Sequence, residues 1–213
     1  MRVTRFHRLA ALTGLLAGLM GQPAVADPTP LVADFTDAAY FLSGDFNNIG
    51  WSFSVTSNVT IDGLGLFDYQ ADGLINSHQV GLWNSAGTLI AQTVVFTGAT
   101  PYASASNAGQ WLVVDIAALT LTVGDYVIGA FYSDNDDDPI AAIATGFDLD
   151  SHFTYVDSRA SDGTAFAMPG VYGQVEPGIF GPNMRVATVP EPGHLLLLPL
   201  ALAAAAAARR RRR

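Results

Sequence analysis

The sequence predicts an all-β protein: one antiparallel β-sandwich, jelly-roll-like, over residues 34–188, flanked by an N-terminal signal peptide and a C-terminal hydrophobic helix. Three observations carry the prediction. Turn-forming residues recur every 8 to 12 positions through the body of the chain, the spacing of short antiparallel strands. The runs between them alternate apolar and polar residues, which places one strand face in a core and the other in water. No long stretch of the body shows helical periodicity, so no helices are available to cover a parallel sheet.

The chain opens with MRVTRFHRLAALTGLLAGLMGQPAVA, residues 1–26. Arg2, Arg5 and Arg8 precede an apolar run from Leu9 to Met20, and the small-residue triplet Ala24-Val25-Ala26 follows. A basic stretch, a short apolar run and an A-x-A site form the three-part pattern of a signal peptide, cut after Ala26. The apolar run is too short for a membrane span.

Trp51 to Thr56 alternates strictly and reads as the first clear strand. Asn58 to Phe67 reads as the second, its alternation broken at Asp62-Gly63 as a β-bulge breaks it. His78 to Trp83 and Thr88 to Phe96 flank Asn84-Ser85-Ala86-Gly87, the signature of a hairpin with a four-residue loop. Trp111 to Ile116, Leu119 to Val123 and Asp125 to Tyr132 continue the pattern, followed by Ile140 to Thr145, His152 to Val156 and Met184 to Val189. Pro169 to Pro182 is rich in proline and glycine and reads as a loop. Trp51, Trp83 and Trp111 lie in hydrophobic strands and are assigned to the core.

Charge is distributed unevenly. Residues 27–188 hold 17 Asp and one Glu against Arg159 and Arg185, sixteen net negative charges, and the chain has no lysine. Such a body repels phosphate backbones, which excludes nucleic acid as a partner. The absence of cysteine excludes disulfides and thiolate chemistry.

The tail reads VPEPGHLLLLPLALAAAAAARRRRR, residues 189–213. Its apolar run, Leu195 to Ala208, spans about 21 Å as a helix against roughly 30 Å of hydrocarbon. The terminal arginines hold that end on the cytoplasmic side and snorkel to lengthen the span. Pro190, Glu191 and Pro192, then the apolar run, then Arg209, Arg210, Arg211, Arg212 and Arg213, resemble the PEP-CTERM sorting signal of Gram-negative bacteria. The resemblance covers residues 189–213 and implies processing near the Pro-Glu-Pro motif by the membrane enzyme exosortase. It further implies transient residence in the inner membrane, then a place on the cell surface or in the extracellular matrix, associated with exopolysaccharide and biofilm. The stretch Trp51 to Trp83, with GWSFSV, LGLFD, DGL and HQVGLWN, resembles a domain of unknown function in extracellular bacterial proteins. That likeness implies a β-sandwich and no activity.

The densest polar cluster is Ser133 to Pro139. Asp134, Asp136 and Asp138 alternate as calcium ligands do, and Asp148, Asp150 and Asp157 lie near enough in sequence to complete a site. The loop is not an EF-hand, because Pro139 stands where glycine is required. His78 and His152, the body's two histidines, are too few for a zinc site without carboxylates. There is no G-x-S-x-G elbow, and the missing lysine excludes Schiff bases and a P-loop. Tyr69, Tyr102, Tyr155 and Tyr172 lie nearest to loops and are the candidates for stacking on sugar rings. The expectation is a non-enzymatic, exported structural or adhesive component whose partners are exosortase, exopolysaccharide or other surface proteins, with calcium as a candidate ligand. A carbohydrate-binding module is the alternative, and a surface hydrolase ranks below it.

Overall fold

A computed structural model describes residues 31–188 apart from 45, 135, 174–177 and 179. The expected cleavage residues Ala24 and Ala26, and the sorting segment with Pro190, Glu191, Pro192 and Arg209 to Arg213, lie outside the described residues. So does the apolar run expected to form a membrane helix. Among the described residues no helix is long and apolar enough to cross a membrane.

The described chain is all-β, and every strand pairing is antiparallel. A five-stranded sheet holds β3 (Asn48–Val55), β5 (His78–Asn84), β6 (Leu89–Val95), β9 (Gly124–Phe131) and β12 (Phe153–Ser161), in the order β12-β3-β9-β5-β6. A four-stranded sheet holds β4 (Val59–Tyr69), β7 (Thr100–Ala103), β8 (Gly109–Leu121) and β13 (Pro182–Val186), in the order β13-β4-β8-β7. Two short pairs complete the fold: β1 (Ala33–Asp34) with β11 (Asp148–Leu149), and β2 (Asp37–Phe41) with β10 (Ile140–Thr145). The two larger sheets form a β-sandwich around one hydrophobic core.

Alternation along β3 shows why. Ile49, Trp51, Phe53 and Val55 are buried in the core, while Ser52 and Ser54 bond to side chains on neighbouring strands. The Trp51 indole N–H donates to the Pro182 carbonyl at 2.9 Å, tying the two sheets together through an otherwise apolar interior. Trp51 also meets Phe180 edge-on, and Phe180 stacks on Phe35. Each such fully buried aromatic contributes about 1.5–3 kcal/mol from burial.

The bulge expected at Asp62-Gly63 is present: the β4 register shifts between Ile61 and Gly63. Arg185 of β13 holds it. Its Nε donates to Asp62 Oδ1 at 2.6 Å, Nη1 to the Tyr102 hydroxyl at 2.7 Å, and Nη2 pairs with Asp115 at 2.8 Å. The expected hairpin is present too. Asn84 Oδ1 accepts from the backbone N–H groups of Ala86 and Thr88, and Gly87 takes the left-handed turn conformation at φ 76°.

The segments 111–116 and 119–123, expected as two strands, form one 13-residue strand, β8, because its pairing with β4 resumes beyond the bulge. The strand expected over 152–156 continues to Ser161 across a bulge between Tyr155 and Asp157, and so carries Arg159 onto the sheet. Leu31 and Val32 already bond to β13, upstream of the domain start expected at Asp34.

Trp83 is buried, but on the outer face of the five-stranded sheet, away from the core. Gly50, Gly129 and Gly81 stand in register across β3, β9 and β5. A Cβ on Gly81 would lie 2.6 Å from Phe166, and one on Gly129 would lie 2.6 Å from Pro169. The row of glycines is therefore a channel in which the segment after β12 lies. Asn48 anchors that segment, donating to Ala165 O at 3.1 Å and accepting from Ala167 N–H at 2.8 Å. Phe166 then covers Trp83, with ring centroids 5.2 Å apart.

Candidate functional site

Two polar features stand out. The first is buried. Alternation along β5 points Val80 and Leu82 into the core, and the same face carries His78 at the strand's start. Its Nδ1 lies 3.1 Å from the Phe131 carbonyl and its Nε2 lies 2.8 Å from Asp138 Oδ2. The Asp138 carboxylate also accepts from the backbone N–H groups of Ile75 (2.8 Å) and Asn76 (2.9 Å). Burial raises the Asp138 carboxyl pKa, but these hydrogen bonds, led by His78, outweigh it and hold the group below its ordinary 3.8. Asp136 closes the turn beneath, accepting from Asp138 N–H at 3.0 Å and Ser133 N–H at 3.3 Å, with Oδ2 3.8 Å from His78 Nδ1. Tyr132 packs on the imidazole with ring centroids 4.6 Å apart. Burial first, then the charges of Asp136 and Asp138, push its hydroxyl pKa well above the ordinary value.

Of the acids expected to bind calcium, the structure brings Asp136 and Asp138 together with His78, their ligand atoms within 4.8 Å of one another. Asp134 is separate: it is exposed and accepts from Asn47 Nδ2 at 3.0 Å. Asp150 bonds to His152 and Asp157 to Arg159 and Ser52, while Asp148 lies in the β1–β11 ladder. The buried trio offers one nitrogen and two carboxylates already engaged with backbone donors. Calcium prefers six to eight oxygens, so this donor set does not fit it. Nitrogen with carboxylate oxygen suits zinc better, yet the two carboxylates flank opposite nitrogens of the ring, so neither nitrogen faces both at close range. With His78, Asp136 and Asp138 all buried, the trio works as a closed knot tying the turn before β10 to the start of β5.

The second feature is open. On the outer face of the five-stranded sheet, beside the covering segment, lies a groove of about 450 Å³. Ser52, Ser54, Asp125 and Arg159 supply its polar lining, and Val156 and Met168 apolar surface. Ser54 donates to Asp125 Oδ1 at 2.6 Å. Arg159 Nε donates to Asp157 Oδ1 at 2.7 Å, and the Ser52 hydroxyl donates to the same oxygen.

No family model matches the chain, and no curated protein matches it in sequence.

The tyrosines expected to stack on sugars do not form a row. Tyr69 packs at a tilt against Tyr40, Tyr102 bonds to Arg185, Tyr155 bonds to Ser158, and Tyr172 packs edge-on against Phe46. Two features escaped the sequence reading. His78 and Asp138 are 60 residues apart, and only the sheet brings them together. Arg159 lay beyond the expected strand, although its being one of two cations in the body was a signal.

Proposed function

We propose that this is an exported, exosortase-sorted component of the cell surface or extracellular matrix, a non-enzymatic structural or adhesive protein associated with exopolysaccharide. One observation carries the reading: Pro-Glu-Pro, an apolar run and an arginine cluster occur in that order after the body, and a signal-peptide pattern precedes it. The acidic sandwich supports it, since a body with sixteen net negative charges stays soluble and avoids anionic surfaces. The buried knot supports it as well, because its imidazole and carboxylates are engaged in holding the fold. The chain crosses between the sheets at β3–β4, β4–β5, β6–β7, β8–β9 and β12–β13, which favours a jelly-roll-like form of the sandwich.

The test is fractionation of the source bacterium expressing the full chain or a variant with Pro190, Glu191 and Pro192 changed to alanine. The intact chain is expected at the surface or in the matrix, and the variant in the inner membrane. Identical distribution of the two would overturn the sorting role. Co-sedimentation with the organism's own polysaccharide, with calcium and with chelator, tests the matrix association and whether calcium bridges it.

A further inference from the structure

We infer that the groove on the outer face of the five-stranded sheet binds a neutral saccharide, gripping its hydroxyls through Arg159 and Asp125. The inference rests on the proposed extracellular role and names the site that would meet polysaccharide there.

The groove spans four adjacent strands, β12, β3, β9 and β5, so its walls are ladder backbone and hold their shape without a ligand. Its charged groups are only partly engaged. Arg159 uses Nε on Asp157, which leaves both terminal nitrogens without a partner among the described residues. Asp125 uses Oδ1 on Ser54, which leaves Oδ2 likewise without one. The arginine fork donates to two neighbouring acceptors at once, and a carboxylate oxygen accepts from a hydroxyl. Sugar hydroxyls both accept and donate, so a saccharide laid along the groove satisfies both groups, where a simple anion or cation satisfies only half of the pair.

Charge selects the neutral form. The other body cation, Arg185, is enclosed by Asp62 and Asp115, whereas Arg159 faces one paired carboxylate, Asp157, with Asp125 also lining the groove. Asp157 already offsets the arginine's charge, and Asp125 adds a negative one to the lining, which disfavours a uronate. Val156 and Met168, both exposed, supply apolar surface for the C–H face of a pyranose ring, the part that hydroxyls leave uncovered. Phe53 and Tyr126, although they border the groove, are buried and stack on each other at 5.8 Å. Recognition therefore depends on hydrogen bonds more than on aromatic stacking. The size also fits: a few hundred Å³ holds one or two sugar rings.

Titration of the full chain in detergent micelles with cellotetraose, maltotetraose and tetragalacturonate, followed by calorimetry, tests this. At least one neutral tetrasaccharide should bind, and tetragalacturonate should bind at least tenfold more weakly. Asp125→Asn, which keeps the shape and the Ser54 contact, and Arg159→Ala should each weaken binding by tenfold or more. The Asp125→Asn thermal midpoint should stay within a degree or two of the parent, so a folding defect is separable from lost binding. Asp134→Asn, outside the groove, should bind as the parent does. Binding of none of the three probes, binding of tetragalacturonate alone, or full affinity in Asp125→Asn would overturn the site. None of these outcomes alters the fractionation result, so failure of the groove and failure of the sorting role are distinguishable.

Discussion

His78 Nε2 lies 2.8 Å from Asp138 Oδ2, and neither side chain is appreciably exposed. This contact joins the first residue of β5 to the last turn before β10, and through Ile75 and Asn76 it also fixes the loop that enters β5. Removing one partner would leave the other buried and unpaired, which costs more than the contact itself contributes.

Asp138→Ala should therefore destabilise the full chain by about 3 kcal/mol, and His78→Ala by a similar amount. The double variant should lose less than the sum of the two, because the residues share one network. Urea denaturation of the four proteins measures this, and strictly additive losses would show that the residues act separately.

The same carboxylate predicts an acid-sensitive fold. Its folded pKa lies below its ordinary 3.8, so its contribution to stability is complete above 3.8 and is lost as pH falls through the lower folded value. Between pH 5 and pH 2 the parent should lose more stability than Asp138→Asn, which has no proton to take up at that position. Parallel loss in the two proteins would remove Asp138 from the acid response.

Glycine substitutions in the channel should rank by what the new Cβ meets. At Gly50 it meets the Ile128 carbonyl, backbone that cannot withdraw without breaking the ladder. At Gly81 it meets the far ends of three side chains, Phe166, Trp83 and Leu89, which can give more readily than backbone. Gly50→Ala should cost about 3 kcal/mol and Gly81→Ala about 1 kcal/mol. Thermal unfolding of both variants checks the order.

At the β4 bulge, Arg185 is partly buried and bonds to Asp62, Asp115 and Tyr102. Arg185→Met should cost about 1–2 kcal/mol, since it removes the charge-assisted hydrogen bonds to the half-buried Asp62 carboxylate and Tyr102 hydroxyl, which water then meets only in part. The Asp115 side chain is 81% exposed, so Asp115→Ala should change stability by less than about 0.5 kcal/mol. Chemical denaturation of the two variants at low and high salt separates the contributions.

In the acidic turn, Asp136→Asn should destabilise by about 1–2 kcal/mol because Oδ1 and Oδ2 accept from two backbone N–H groups of the turn, that of Asp138 buried and that of Ser133 partly so. Asp134→Asn, at an exposed contact with Asn47, should stay within about 0.5 kcal/mol of the parent. Equal losses would contradict the separation of these neighbouring acids.

Local pattern alone determined the fold class, the β3 faces, the Asn84–Gly87 hairpin and the bulge at Asp62-Gly63. Each depends on residues within a few positions of one another, where side-chain period and turn chemistry are already decisive. The export and sorting patterns at the two ends are likewise contiguous. Tertiary structure decided the rest. Trp83 is as apolar as Trp51, yet the glycine channel and Phe166 bury it on the opposite face. The alternating acids of the 134–138 turn look equivalent along the chain. Strand pairing then brings His78 to Asp136 and Asp138 and leaves Asp134 in solvent with Asn47. The groove draws Ser52, Asp125 and Arg159 from three strands. Local periodicity carries no information about which distant strand becomes a neighbour, so only sheet order could assemble it.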